Sequence, residues 1–358
     1  MLKMMVKGAL LEPSFAHFAK NINVENHADF FGFSMDVSSE NFSESLKFLN
    51  QLITEPNLNE QILEHEKEKS WMEIQKVSKD PLRRPVELFY QSLFAGHPYA
   101  FSRYGNESTI KSVSLEQITE WHRELIQVDH MVIALTSDIP QKKAFDELFE
   151  IFGMIPTKTK SKRASVLPLI PFKKFKPSIE ETTQDRTSIV LGHKGVDAKD
   201  HRYYDLEILR NWLAGSRGQL HLSLREKLSL AQTVNAYNVS LLRGGAFFLH
   251  ATTVQEQEAP LTEYMETFFS SLSKLVISKE SFETAKQQTI AMFSHGLRKN
   301  DALSYHMASQ YMTAKHADTI DDYQHKVESV SLPKLMSTIS EVFFEDSYAV
   351  GILRGIDG

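Results

Sequence analysis

The chain has 358 residues, 42% of them hydrophobic and 24% charged, with a mean hydropathy of −0.30. A formal charge of −6 and a pI near 6.2 exclude the basic balance typical of nucleic-acid binders, and without cysteine no disulfide or thiolate metal site can form. No apolar run reaches the roughly 18 residues that cross a bilayer, and the length exceeds one ordinary core, so two domains are expected.

The start, "MLKMMVKGALL", is apolar with two lysines. It is short for a signal peptide and lacks a small-x-small cleavage site. The reading is a soluble chain, cytoplasmic or periplasmic, with no membrane insertion. "FFGFSMDV" (30–37) predicts a strand. "SESLKFLNQLIT" (43–54) predicts a helix with Leu46, Phe48, Leu49, Leu52 and Ile53 on its apolar face. A second helix is predicted over 58–77, started by Pro56 and Asn57, and a third over 85–93. "SLEQITEWHRELI" (114–126) is an amphipathic helix capped by Ser114. "HMVIALTS" (130–137) reads as a buried strand, and a helix over 140–153 ends at Gly153.

The segment 157–177 carries three prolines, seven basic residues and no acid, and reads as an exposed linker. Beyond it come a strand (186–195), helices over 202–214 and 219–228, and strands over 233–240 and 244–254. Two long helices (260–276, 278–297) and a final strand (349–355) follow. Strands and helices thus repeat in order on both sides of the linker. The expectation is an α+β fold of two similar domains, 1–156 and 178–358, each a mainly antiparallel sheet with packed helices.

Three stretches carry a resemblance: "EHEKEKSWMEIQKVSKDP" (64–81), "HPYAFSRYGNESTIKSVSLEQITEWHRELI" (97–126) and "RGQLHLSLREKLSLAQTV" (217–234). Together, and in this order, they resemble the pitrilysin/insulinase family, the inverted-zincin metallopeptidases and their mitochondrial-processing-peptidase relatives. That family holds zinc with H-x-x-E-H on one helix and a Glu on a later one. Two His four apart on a helix reach one ion, and the Glu beside them takes a proton from the bound water. Matching Lys7-Gly8 to the family's continuation of this motif puts Lys3 at the second His and Leu2 at the general base; the first His would precede Met1. Glu73 matches the later ligand and Glu66 the acid two turns before it. "HEKEK" (65–69) imitates the motif with Lys as its last residue, on the wrong helix for the family.

The resemblance further implies that Arg225 matches an Arg that hydrogen-bonds substrate from the second domain. Seven residues on stands Gln232, where the family has Tyr, and Ser229 replaces a common Gly. The alternative for Arg225 is a structural pairing with a carboxylate. "NVENHADFFGF", with Asn23 and Asn26, matches the sheet edge to which the family adds extended peptide. His97, His122, His130, His193, His201, His221 and His250 show no metal-ligand spacing and read as surface or structural histidines.

The function these matches imply is a non-catalytic peptidase homologue, with no cofactor expected. It would bind peptide, complete the active site of a catalytic H-x-x-E-H partner, or pair with itself. The alternatives are an active zinc endopeptidase, which would hold zinc, and a structural core subunit of a larger complex.

Overall fold

The computed structural model describes residues 1–155, 177–215, 218–343 and 348–356, so nearly all of the expected linker lies outside the described residues. The chain opens with α1 (Leu2–Leu10), α2 (Ala16–Ala19) and the hairpin β1 (Ile22–Asn26) and β2 (Phe31–Met35). Next come α3 (Phe42–Thr54), α4 (Glu60–Val77), α5 (Arg83–Leu93), α6 (Glu107–Ser112), α7 (Leu115–Leu125) and α8 (Gln141–Phe152). Then follow β3 (Ser178–Thr182), β4 (Arg186–Gly195), α9 (Tyr203–Ala214), a π-helical turn (His221–Lys227), β5 (Thr233–Leu241) and β6 (Gly244–Val254). The chain closes with α10 (Glu258–Ser270), α11 (Lys279–Gly296), α12 (Asn300–Ala314), α13 (Ile320–Glu328), α14 (Leu332–Val342) and β7 (Ala349–Gly355). No described helix is long and apolar enough to cross a membrane.

Two compact units are built from these elements. The first holds Met1–Ile74, the described part of Arg103–Val166, and Leu297–Met312. Its sheet is the antiparallel pair β1–β2, with Asn26 opposite Phe31. Helix α3 organises the unit because its apolar residues point two ways. Phe48 and Leu52 join Met5, Phe18 and the hairpin residues Phe33 and Met35. Phe42 and Leu46 join Ala144 and Phe152 of α8, with Met131 and Ile139 packed against them. The buried strand expected over 130–137 does not form: Val128–His130 is a 3-10 turn, and residues 131–137 lie outside every helix and ladder. A strand exists only when a neighbour takes its backbone bonds, and among the described residues no segment pairs with this one.

The second unit holds Gln75–Ser102, the described part of Leu167–Gly296, and the described part of Thr313–Gly358. Its five-stranded sheet has the order β3-β7-β4-β6-β5, parallel only between β3 and β7. Alternate residues of a strand face opposite sides, and both sides are buried here. Ile189, Leu191, Phe247, Leu249, Val350 and Ile352 pack with α9, α10, α11, α13 and α14. Val190, Phe248 and Ala349 pack on Phe89 and Leu93 of α5, with Phe94 and Tyr99. Burying a Phe or Leu contributes about 1.5–3 kcal/mol, so both layers are needed. Arg84 of α5 bonds Glu180 of β3 through Nε at 2.7 Å and Glu87 through Nη1 at 2.8 Å, and these bonds raise its pKa.

His250 of β6 lies buried on the α5 side, where its Nε2 donates to the Pro81 carbonyl at 3.0 Å. Burial pushes its pKa down, so the ring stays neutral in the fold. An unfolded His charges near pH 6.5. The stabilisation is therefore full above that pH and is lost as pH falls toward the depressed folded value, at up to about 1.4 kcal/mol per pH unit. Urea denaturation at pH 7.5 and 5.0 should show wild type losing more stability on acidification than His250→Gln.

Candidate functional site

On the first unit, α1 buries Met4 against Ile62 and Leu63 of α4, and Met5 against Phe18 and Phe48. Gly8, the glycine of the matched Lys7-Gly8 pair, permits this packing: a Cβ there would stand 2.2 Å from the Asn57 carbonyl oxygen. Leu2 is half-buried in the apolar cluster around Met5, while Lys3 is exposed. On α4, Glu66 is only 8% exposed, with Lys69 Nζ at 3.6 Å from its carboxylate. Burial holds the Met1 amine below its ordinary pKa; Glu66 opposes that shift and Lys3 adds to it, which sets the start of α1 beside Glu66. Glu73, half-buried, follows two turns further along the same helix face.

This donor set does not fit a zinc ion. At neutral pH the Lys3 ammonium has no free lone pair and Leu2 can neither bind metal nor move a proton. Among the described residues no three His, Asp or Glu side chains gather as a metal set. Within "HEKEK", His65 is exposed where Glu66 is buried, so the two point apart. Four other histidines serve the fold. His122 Nε2 donates to the Ile53 carbonyl at 2.7 Å, and His193 Nδ1 to that of Lys194 at 2.9 Å. His97 Nδ1 accepts from the Tyr99 amide at 3.2 Å, and His250 holds Pro81.

Asn23 and Asn26 are exposed on β1, whose ladder among the described residues is the one with β2. The hairpin end is pinned from α12, where Tyr305 Oη lies 2.7 Å from His27 Nε2, and His27 lies 3.5 Å from Glu25. The sequence reading missed this contact, since no local pattern joins residues 278 positions apart.

On the second unit, residues 219–228 were expected as a helix, and the structure shows a π-helical turn over His221–Lys227. Such turns are rare and recur at functional sites. Leu224 is fully buried, and its carbonyl accepts from the amides of both Leu230 (2.8 Å) and Ala231 (3.2 Å). This fold-back requires Ser229 at φ 51°, a left-handed conformation that glycine adopts freely and serine at a cost of about 1 kcal/mol. The glycine common at this place in the resembled family therefore has a physical reason. The turn leaves Arg225, Glu226 and Lys227 exposed, with Glu226 3.6 Å from His221. The Arg225 guanidinium makes no hydrogen bond or ion pair with any described residue. Gln232 is exposed as well, its backbone N–H donating to the Thr252 carbonyl at 2.8 Å just before β5.

Residues 112–289 match the model of the peptidase M16 inactive domain. The uncharacterized zinc protease YmxG of Bacillus subtilis is 23% identical over 342 residues, 95% of this chain and 82% of that protein. A peptidase M16 inactive domain from Pseudomonas fluorescens superposes with a TM-score of 0.84 at 16% identity, covering 99% of this chain and 86% of the other. A chain of the complex III dimer from Candida albicans superposes at 0.78 with 14% identity, covering 99% and 86%. The matched sequence and a fold shared over nearly the whole length agree with the motifs: this chain is similar to the M16 peptidases of the pitrilysin/insulinase group and has their fold.

Proposed function

We propose that this chain is a non-catalytic M16 homologue that binds peptide and completes the active site of a catalytic H-x-x-E-H partner chain. What supports the reading is that Lys3 and Leu2 match the positions of a zinc ligand and the general base, beside a Glu66 that is buried and paired to Lys69. In this reading Glu66 and Glu73 are surviving positions of a lost zinc site. The exposed Arg225 guanidinium is a donor left for a group outside the described residues; a peptide carbonyl fits it. Gln232 offers a weaker amide donor. Asn23 and Asn26 flank the β1 edge, where an extended peptide can add as a strand.

The fold also occurs in a chain of complex III2 from Candida albicans, which supports a subunit role of some kind. The experiment is size-exclusion chromatography with light scattering, on the chain alone and mixed with a co-encoded H-x-x-E-H homologue. The expected result is a one-to-one heterodimer. Two species that never associate would overturn the partner reading.

A further inference from the structure

We propose that the Asp205 carboxylate is an acid-sensitive joint between α9 and α14, seating α14 loosely when ionised and firmly when protonated. Asp205 lies in the first turn of α9 and is 0% exposed. Its Oδ2 accepts from Thr338 Oγ1 of α14 at 2.5 Å. Its Oδ1 is buried and has no hydrogen-bond partner. Lys334 Nζ stands 3.8 Å from that oxygen, beyond hydrogen-bond reach, on a side chain 41% exposed. A buried carboxylate oxygen that gains no donor in return for its lost water destabilises the fold.

The other buried acids described in this unit are met on both sides. Glu207 accepts from Arg210 Nη2 and Asn238 Nδ2, each at 3.0 Å. Asp318 accepts from Lys326 Nζ at 2.5 Å and from the Tyr204 hydroxyl. Asp205 differs in its bare oxygen, and it sits in a seam between two helices. Lys334 and Thr338 are four residues apart on α14 and share the face turned to Asp205. Glu341 extends that face to Arg202, at 3.3 Å. Leu335 and Ile339 of α14, fully buried in one cluster with Leu206 and Leu209 of α9, close the apolar side of the seam.

The charges that act on Asp205 are Lys334 from α14 and, from the turn before α9, His201 and Asp200. Lysines of the other helices on α9 are bonded elsewhere: Lys286 of α11 to the Val330 carbonyl at 2.8 Å, and Lys326 of α13 to Asp318. Strand β5 carries no charged side chain. Burial holds the Asp205 carboxyl above its ordinary pKa, against the Thr338 hydrogen bond, Lys334 and His201. Stability from such a group is full below the unfolded value of about 3.9 and is lost as pH rises through the raised folded value. The seam is therefore tightest in acid. His250, in the same unit, acts in the opposite sense on global stability, so the readout must be local to α14. The joint lies apart from Arg225 and the β1 edge and does not depend on the partner-peptidase reading.

The test is hydrogen–deuterium exchange of the full chain at pH 4.5 and 7.5, corrected for the intrinsic effect of pH on exchange. Amides of α14 are read against those of α11. In wild type, α14 should open about tenfold more often relative to α11 at pH 7.5 than at pH 4.5. Asp205→Asn keeps the shape and removes the charge, so it should hold α14 at the low opening frequency at both pH values. His201→Gln, at an exposed position, should keep the wild-type response. Four results would overturn the proposal: no pH response of α14 in wild type, a response that survives in Asp205→Asn, a response lost in His201→Gln, or an Asp205→Asn chain that opens α14 further at pH 7.5 or fails to fold, which would make the ionised carboxylate a support of the seam.

Discussion

Arg225→Ala in a reconstituted complex with the proposed catalytic partner is expected to lower peptide turnover by about 100-fold while leaving assembly unchanged. A preorganised donor aimed at a developing oxyanion is worth roughly that much. The π-helical turn supplies the preorganisation: Leu224 is fully buried, its carbonyl is bonded twice, and Arg225 is the next residue along, with no described group competing for it. Gln232→Tyr should be neutral or activating, since a phenol restores the family pattern at that position. Peptide cleavage by wild type and both variants at equal complex concentration is the measurement. Unchanged turnover in Arg225→Ala, with the complex intact, would make the turn a structural feature only.

Gly351→Ala should be among the most damaging single-methyl additions to the second unit. A Cβ at Gly351 would stand 2.2 Å from the Pro85 carbonyl oxygen and 2.5 Å from the Phe89 amide nitrogen. Both are backbone atoms of α5, so no side chain can rotate away. The helix must lift, and with it Phe89 and Leu93, which cover Val190 and Phe248. Overpacking of this kind costs about 3 kcal/mol. Gly32→Ala is the control, because nothing lies within 4 Å of its Cβ position, and its effect should stay within about 0.5 kcal/mol. Chemical denaturation of the two variants checks the difference; equal midpoints would show that α5 is not seated as described.

Much of the second unit is legible in the sequence. The strands expected over 186–195 and 244–254 appear as β4 and β6 with those bounds. Each has an unbroken apolar centre, Ile189 to Leu191 and Ala246 to Leu249, bounded on one side by glycine, because helices cover both faces. Helix 43–54 is legible from its wide apolar face, and α7 from Ser114, whose hydroxyl accepts from the Gln117 amide. Other elements depend on distant partners. β3 is a short, polar edge strand fixed by β7 and by Arg84. The sequence reading assigns nothing between Leu297 and Ala349, where α12, α13 and α14 lie. The segment 130–137 shows the converse: it has a strand's composition without a strand's neighbour. At the candidate site, the motif match names Glu66 and Arg225, but the burial of one and the exposure of the other are tertiary facts. Neither the π-helical turn nor the left-handed Ser229 has a composition that announces it.

The central claim is that the positions matching the family's metal site no longer hold metal. Zinc stoichiometry decides it. The purified chain is dialysed against a weak chelator and its metal content is measured against protein concentration. With Lys3 and Leu2 where a ligand and the base would stand, the expected result is no stoichiometric zinc. About one tightly held zinc per chain would contradict the account and make the active-peptidase reading the better one.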